Sequence, residues 1–273
     1  MPELPEVEYV ARQLRAELLG QRIVRTIVYW QGSVAGMDPD AFAHALAGLR
    51  IDGIERRAKY LLIALSGGQV LVVHRGMSGN LLLGKLPQDA LYVRVAFELE
   101  DGRYLLYSDP RKFGRLQLTT AENLPNLFAR LGPEPLDVSF SPDVLAARLS
   151  GTRRPIKAAL LDQAVVAGLG NIYADEALFQ AKIHPLRAAS ELGPAEIQAL
   201  VGAIQAVLNS GIEHGGTTIG RHRDVYNESG TNLEHIVVYR RTGEPCLRCG
   251  SPIQRITIGG RSTHFCPTCQ PLP

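Results

Sequence analysis

The chain has four cysteines in 273 residues, and none lies before Cys246. Sulfur so scarce and so confined to one end excludes a disulfide-stapled secreted scaffold. No apolar run reaches the ~20 residues that cross a bilayer, and no charged-then-apolar leader opens the chain. Membrane attachment and secretion are therefore not expected. Excess charge of one sign is missing too: 29 Lys and Arg face 27 Asp and Glu, a net of +2. The overall balance thus names no partner. What is present is globular, with 45% hydrophobic and 21% charged residues. A length of 273 residues holds two ordinary domains, or two and a small module.

The cysteines sit as Cys246-x2-Cys249 and Cys266-x2-Cys269, with residues 250–265 between the pairs. That spacing suits a four-thiolate zinc site, where two tight turns each present two sulfurs. A pair of disulfides is the competing reading, and it ranks lower because a cytosolic thiol pool keeps cysteines reduced. A redox Cys-x-x-Cys is a third reading, disfavoured by the matched pairs. Four thiolates leave a zinc no open position, so one structural zinc ion is expected rather than a catalytic one. Residues 253–265 read as a hairpin turning at Gly259-Gly260. From Arg240 onward five arginines (Arg240, Arg241, Arg248, Arg255, Arg261) face one acid, Glu244. A zinc-held basic hairpin fits a phosphate backbone; a solvated charged face is the bland alternative.

Periodicity divides the rest. Val7, Val10, Leu14 and Leu18 recur at helical spacing and stop at Gly20. Asp38-Pro39 opens a second short helix carrying Phe42, Leu46 and Leu49. From about residue 50 the period changes. Segments 60–65, 69–75, 80–85, 92–100, 103–107 and 115–119 read as strands, with Asp101-Gly102 a hairpin turn. Many short strands predict an antiparallel sandwich. Residues 131–135 read as a linker. Helices follow from Ser141-Pro142 to about Leu149, over roughly 155–163, over 171–179 after Gly168-Leu169-Gly170, and from Pro194 to near Gly211. A glycine turn between helices can offer backbone N–H groups to phosphate, or be a plain tight connection.

The opening residues, Met1-Pro2-Glu3-Leu4-Pro5-Glu6, carry chemistry of their own. Removal of Met1 leaves Pro2 as a secondary amine beside the Glu3 carboxylate, which is what imine chemistry needs. An α-amine has an ordinary pKa of about 7.7–8.0, far nearer neutrality than a lysine. A proline placed ahead of a first helix is the plain structural reading.

Several motifs then resemble one family. Pro2-Glu3-Leu4-Pro5-Glu6-Val7-Glu8, His74-Arg75-Gly76-Met77-Ser78-Gly79, Asp109-Pro110-Arg111-Lys112-Phe113-Gly114, Gly170-Asn171-Ile172-Tyr173-Ala174-Asp175-Glu176 and the four-cysteine end stand in the order of bacterial formamidopyrimidine-DNA glycosylases. They span almost the whole chain. The resemblance implies an α+β multi-domain fold. Residues 1–131 would be an N-terminal antiparallel β-sandwich with flanking helices, 132–232 a helical domain with a helix–two-turn–helix, and 233–273 a zinc finger. It also implies a bifunctional glycosylase and lyase acting on damaged double-stranded DNA by a Schiff base on Pro2 and β,δ-elimination. Glu3 matches the acid, Lys59 the lysine at the lesion phosphate, and Arg261 the zinc-finger arginine on phosphate. His74, Tyr92, Arg153 and Asn171 match DNA-contacting positions. Met77, Arg111 and Phe113 match the residues that fill the gap left by an extruded nucleotide. Taken singly, Met77 and Phe113 read as core, Arg111 as solvated, Lys59 as a surface strand-end lysine, and His74 and Asn171 as satisfied turn residues. Residues 215–230 correspond to the family's mobile loop over the flipped base and have the composition of a lid, or of a plain connector.

Three departures stand out by resemblance: Arg75 where leucine is common, which adds a cation near Met77; Tyr92 where histidine is frequent; and Arg240 in place of a frequent glycine. Leu4 favours the oxidised-purine branch, with 8-oxoguanine and formamidopyrimidines as substrates, over the endonuclease VIII type that cuts oxidised pyrimidines. A non-catalytic zinc-ribbon DNA-binding protein is the alternative from another class. A cytoplasmic monomer is expected.

Overall fold

The computed structural model describes residues 1–88, 91–220 and 222–272. The chain forms two compact units, Met1–Ala129 with Ile212–Leu233, and Arg130–Gly211 with Glu234–Pro273.

The first unit opens with α1 (Leu4–Leu18), whose Val7, Val10, Leu14 and Leu18 are all buried. Each such side chain contributes roughly 1.5–3 kcal/mol on leaving water. The strands are β1 (Ile23–Val28), β2 (Val34–Ala35), β3 (Ile51–Arg57), β4 (Tyr60–Leu65), β5 (Gln69–His74), β6 (Asn80–Gly84), β7 (Val93–Leu99), β8 (Tyr104–Ser108) and β9 (Arg115–Thr120). They make a four-stranded sheet in the order β1-β7-β8-β6 and a five-stranded one in the order β2-β9-β5-β4-β3. Every pairing is antiparallel except β2 with β9. One core joins α1 and α2 (Pro39–Leu46) to both sheets, through Phe42 and Leu46, Leu61 and Val73, and Val95 and Phe97. The unit is thus a β-sandwich with flanking helices, and a four-residue helix, α3 (Leu124–Leu127), follows β9.

Two strands before residue 60, β1 and β3, carry no alternating signal. Their burial runs inward only every third residue, and a bulge interrupts each pairing. Helix α2 stops at Leu46, because Gly48 turns to φ +78°. Leu49, expected on that helix, instead packs on the core from the following turn. The Asp101-Gly102 turn forms as read, with the Arg103 N–H donating to Asp101 Oδ1 at 2.9 Å.

The second unit is helical and ends in a hairpin. Its helices are α4 (Pro142–Leu149), α5 (Ile156–Leu160), α6 (Asn171–Gln180) and α7 (Pro194–Glu213), and its strands are β10 (Gln254–Ile258) and β11 (Arg261–Phe265). α5 is shorter than the 155–163 expected. Its chain leaves the helix at Leu161, and the Gln163 side chain bonds Leu161 O, Leu169 O and Gly168 N across the following turns. Those turns join α5 to α6 as a helix–two-turn–helix. The hairpin turns at Gly259 (φ +55°) and Gly260 (φ +74°). Among the described residues no helix is long and apolar enough to cross a membrane.

Candidate active site and metal centre

Pro2 and Glu3 are buried at the start of α1. Glu3 is the N-cap, and its N–H donates to Glu6 Oε2 at 2.7 Å. The other Glu6 oxygen accepts the Thr217 N–H at 2.7 Å. Burial pulls the terminal amine below its ordinary 8.0, against the pull of Glu3 and Glu6 and with the help of Lys59 and Arg111. Five groups therefore act on one point of the first unit: an amine, two carboxylates and two cations. Lys59 lies in the two-residue connection between the paired Arg57 and Tyr60 and is only 7% exposed, so the surface-lysine reading fails. The His74 ring packs against Tyr60 with centroids 4.8 Å apart and planes tilted by 46°, and Nδ1 accepts from the Gly76 N–H at 3.3 Å. Burial, and then Lys59, lower its pKa.

Two loops of the same unit carry the other expected DNA residues. Met77 is 46% and Phe113 51% exposed, so neither belongs to the core. Arg111 lies over the Phe113 ring at 4.9 Å. The loops meet backbone to backbone at Gly76: a Cβ there would fall 2.6 Å from the Gly114 nitrogen, and φ is +60°. Asp109 holds both. One carboxylate oxygen accepts from the Ser78 hydroxyl at 2.5 Å and the Arg111 N–H at 3.2 Å. The other accepts from Tyr107 Oη at 3.2 Å and the Gly114 N–H at 2.9 Å. Burial raises the Asp109 pKa, but these donors, Ser78 first, outweigh it, and the net direction is down. Tyr92 is half exposed, and its carbonyl accepts the Asp109 N–H at 2.9 Å.

Residues 215–230 are not a free connector. Thr217 is tied to Glu6, the Arg223 N–H to Asn80 Oδ1 at 3.0 Å, and Tyr226 Oη to Glu17 at 2.7 Å. Val225 is fully buried in the sandwich core, and its carbonyl accepts the Leu83 N–H at 2.8 Å. Arg221, part of the expected lid, lies outside the described residues. Arg75 does not reach out beside Met77 as a surface cation. It is 1% exposed, and its guanidinium turns inward to Glu6 O, Gly79 O, Asn80 Oδ1, Arg223 O and the His222 ring.

In the second unit Asn171 is the first residue of α6, and its Nδ2 donates to Ser262 O of the hairpin at 2.9 Å. Its buried Oδ1 has no hydrogen-bond partner among the described residues. The Asn171 backbone carbonyl accepts from Lys157 Nζ at 2.8 Å. Lys157 also pairs with Asp175 at 2.5 Å, and the second Asp175 oxygen takes His264 N at 3.0 Å and lies 3.1 Å from its Nδ1. This buried chain links α5, α6 and β11. Glu176, pushed up by burial, accepts the N–H groups of Val237, Val238 and Tyr239 at 2.8–3.0 Å. Arg261 is exposed at the hairpin tip and Arg153 on the turn after α4. Arg241, Arg248 and Arg255 are engaged within the unit by Glu244, Phe179 and Ser262. Arg240 sits at φ +62°, which accounts for glycine suiting that position.

The Sγ atoms of Cys246, Cys249, Cys266 and Cys269 all lie within 4.8 Å of one another, with 3.9 Å between Cys246 and Cys269 and 3.4 Å between Cys249 and Cys266. Tetrahedral zinc with Zn–S of about 2.3 Å spaces its sulfurs by about 3.8 Å. The donor set fits one structural zinc.

Comparison with known proteins agrees along the length. Residues 1–116 match the formamidopyrimidine-DNA glycosylase N-terminal domain, 131–223 the H2TH domain of the same enzymes, and 243–272 the zinc finger found in FPG and IleRS. The chain belongs to the formamidopyrimidine-DNA glycosylase family. It is 50% identical over 272 residues to the formamidopyrimidine-DNA glycosylase of Herpetosiphon aurantiacus, covering 99% of this chain and 100% of that one. The Chloroflexus aurantiacus enzyme is 48% identical, with 99% and 98% covered. Among solved structures, Lactococcus lactis Fpg in complex with abasic-site DNA superposes with a TM-score of 0.92 at 35% identity, covering 99% and 100%. The Thermus thermophilus MutM (FPG) protein gives 0.87 at 40%, covering 98% of each.

Sequence reasoning missed three residues that organise the first unit of this glycosylase-family fold. Glu6 was signalled by the Glu3-x-x-Glu6 spacing at a helix start, and Asp109 by Asp-Pro ahead of a glycine. Arg75 gave no sign that it points inward.

Proposed function

We propose that this chain is a bifunctional DNA glycosylase and abasic-site lyase that removes oxidised purines, 8-oxoguanine and formamidopyrimidines, from duplex DNA in base-excision repair. The amine of Pro2, exposed once Met1 is cleaved, attacks C1′ of the damaged nucleotide. The N-glycosidic bond breaks, and the base leaves with a proton. Glu3 is the acid that protonates the sugar or base. The opened sugar is held as an iminium, whose positive charge acidifies C2′. Loss of that proton expels the 3′ phosphate, with Lys59 serving proton transfer. A second elimination, with Arg261 on phosphate, releases the 5′ side. His74, Tyr92, Arg153 and Asn171 contact the DNA backbone. Met77, Arg111 and Phe113 occupy the space of the extruded nucleotide, since C1′ cannot be reached while the base is stacked. Zinc, when bound by the four cysteines, supplies folding energy to the hairpin that carries Arg261 and no reaction chemistry.

The observation that carries the reading is the burial of Pro2 and Glu3 at the start of α1, where the Glu6 carboxylate holds the Glu3 N–H at 2.7 Å. Family membership supports it, as do relatives solved with abasic-site and formamidopyrimidine DNA. Leu4 supports the purine branch over the pyrimidine one. Borohydride reduction in the presence of 8-oxoguanine duplex is expected to yield a covalent protein–DNA adduct, lost in Pro2→Gly provided that the weaker primary amine of glycine does not substitute. A wild-type protein that binds the duplex yet gives no adduct would leave only a DNA-binding role.

A further inference from the structure

Trp30 is the chain's one tryptophan, and it stands half-buried between β1 and β2. Its backbone is fixed on both sides. The N–H donates to Arg94 O at 3.2 Å, and the carbonyl accepts the Ser33 N–H at 3.1 Å. The Arg94 side chain in turn donates from Nε to Asp109 O at 2.8 Å, at the root of the loop that carries Arg111 and Phe113. Gly32 leaves room for the indole, since a Cβ there would fall 2.4 Å from Trp30 Cζ2.

Two cations from that loop and its exit lie over the ring. Lys112 Nζ is 5.1 Å and Arg115 Cζ 5.9 Å from the centroid. Lys112 has φ +62°, an uncommon backbone for a residue with a side chain. Arg111 and Phe113 therefore meet each other, while Lys112 between them turns to Trp30. Arg115 Nη1 donates to Lys112 O at 3.1 Å and to Gly114 O at 2.7 Å. Both side chains are exposed. Among the described residues they touch ring and carbonyl, not carboxylate. A merely solvated pair of charges would need neither the ring nor the strained turn. Two fixed, unneutralised cations suit the anionic backbone of a nucleic acid. The indole, already covered by them and packed on Gly32, is a support rather than a surface for base stacking.

We propose that Trp30, Lys112 and Arg115 form a phosphodiester-binding platform beside the gap-filling loop, with Trp30 positioning the two cations. This rests on the reading given above, in which Arg111 and Phe113 enter the duplex. The platform takes the DNA backbone next to the base that has lost its partner. It adds affinity and register without reading sequence.

The test is equilibrium binding to a duplex with a borohydride-reduced abasic site, which cannot form a Schiff base. Binding is followed over about 50–200 mM salt, with cytosine or adenine opposite the site. Lys112→Ala and Arg115→Ala should each flatten the plot of log affinity against log salt by about 0.9, the counterion release of one phosphate. The loss should be the same opposite either base. Trp30→Ala should weaken binding on the order of threefold, the worth of an exposed cation–π contact, and Trp30→Phe should recover part of it. Tryptophan emission comes from Trp30 alone. It should change when duplex saturates the wild type, and the change should be lost in the saturated Lys112→Ala/Arg115→Ala protein. Melting temperatures should not move. Unchanged salt slopes in both single variants, emission indifferent to bound duplex, or a loss confined to one opposite base would overturn the platform. If Trp30→Ala does not fold, the two cation variants decide the matter. A wild-type protein that shows the expected slopes but forms no borohydride adduct with 8-oxoguanine duplex would instead remove the glycosylase reading and leave the platform standing.

Discussion

Asp109 is fully buried, with four donors around its carboxylate: Ser78 from one loop, the Arg111 and Gly114 N–H groups from the other, and Tyr107 from β8. Asp109→Ala leaves two hydroxyls and two backbone N–H groups without their acceptor. Each orphaned donor costs about 1–3 kcal/mol before relaxation, so a net loss on the order of 3 kcal/mol is expected. It should appear as a lower melting temperature and faster exchange at the Arg111 and Gly114 amides, with weaker duplex binding because Met77, Arg111 and Phe113 lose their common support. Unchanged exchange at those amides would refute this role. The same carboxylate gives a pH dependence with a definite sign. Its folded pKa lies below the ordinary 3.8, so the stabilisation is complete above that value and is lost as pH falls through the lower, native one. Residues of this kind were only half legible in the sequence. The Asp-Pro-Arg-Lys-Phe-Gly run marked a loop and its exposed tip, but which side chain gathers the donors depends on β8 bringing Tyr107 alongside, a pairing no local pattern encodes. Arg75 is the sharper case: an arginine beside a surface methionine reads as solvated, and only the return of 222–223 along β6 makes its burial intelligible.

At the scale of elements, the hairpin and the helix pair of the second unit depend on two different devices. The four thiolates fix β10 and β11 from one end, so chelation is expected to release one zinc per chain. Cys249→Ser should lower zinc retention and duplex affinity together. Metal content by atomic absorption with a parallel binding titration checks this, and zinc-free protein that binds DNA at full affinity would contradict it. From the other end, the buried Lys157–Asp175 ion pair and the bonds from Asp175 to His264 join α5, α6 and β11. Lys157→Met strands the Asp175 carboxylate, which costs on the order of 3–5 kcal/mol. Calorimetry should show that loss, and a melting temperature within a degree of wild type would exclude it. The elements were unevenly readable. α1 and the Gly259-Gly260 hairpin were plain because a 3.6 period and a paired-glycine turn are local signals. β1 and β3 were not, since bulges at Ile23–Arg25 and Ile51–Gly53 break the two-residue alternation. The extent of α5 was overestimated because Gln163 stabilises a turn from its side chain, a competition with the helix that composition does not reveal.

Across the whole molecule the proposed chemistry reduces to one nitrogen. The first unit desolvates the terminal amine and sets Lys59 and Arg111 against its protonation, while Glu3 and Glu6 oppose them, and the net direction is down from 8.0. Pro2 is itself buried at the start of α1, so burial is expected to act in the same direction on its amine once Met1 is gone. The reactive form is the free amine. A depressed pKa therefore extends activity toward lower pH: the acidic limb of the rate of borohydride trapping should have its midpoint below the 8.0 of an ordinary chain terminus. A midpoint at or above that value would mean that the carboxylates win and that the amine is held protonated. The amine must also exist. Inserting a leucine between Met1 and Pro2 blocks methionine removal with a bulky second residue and converts the Pro2 nitrogen into an amide. That protein should retain its zinc, its melting temperature and its affinity for an abasic-site duplex, yet give neither trapped adduct nor base release. Mass spectrometry of the first peptide identifies which species is present in each preparation. If the extended protein, verified intact by that mass, excised 8-oxoguanine at the wild-type rate, the nucleophile would have to be sought elsewhere, with the Met1 α-amine and buried Lys59 the amines left to test.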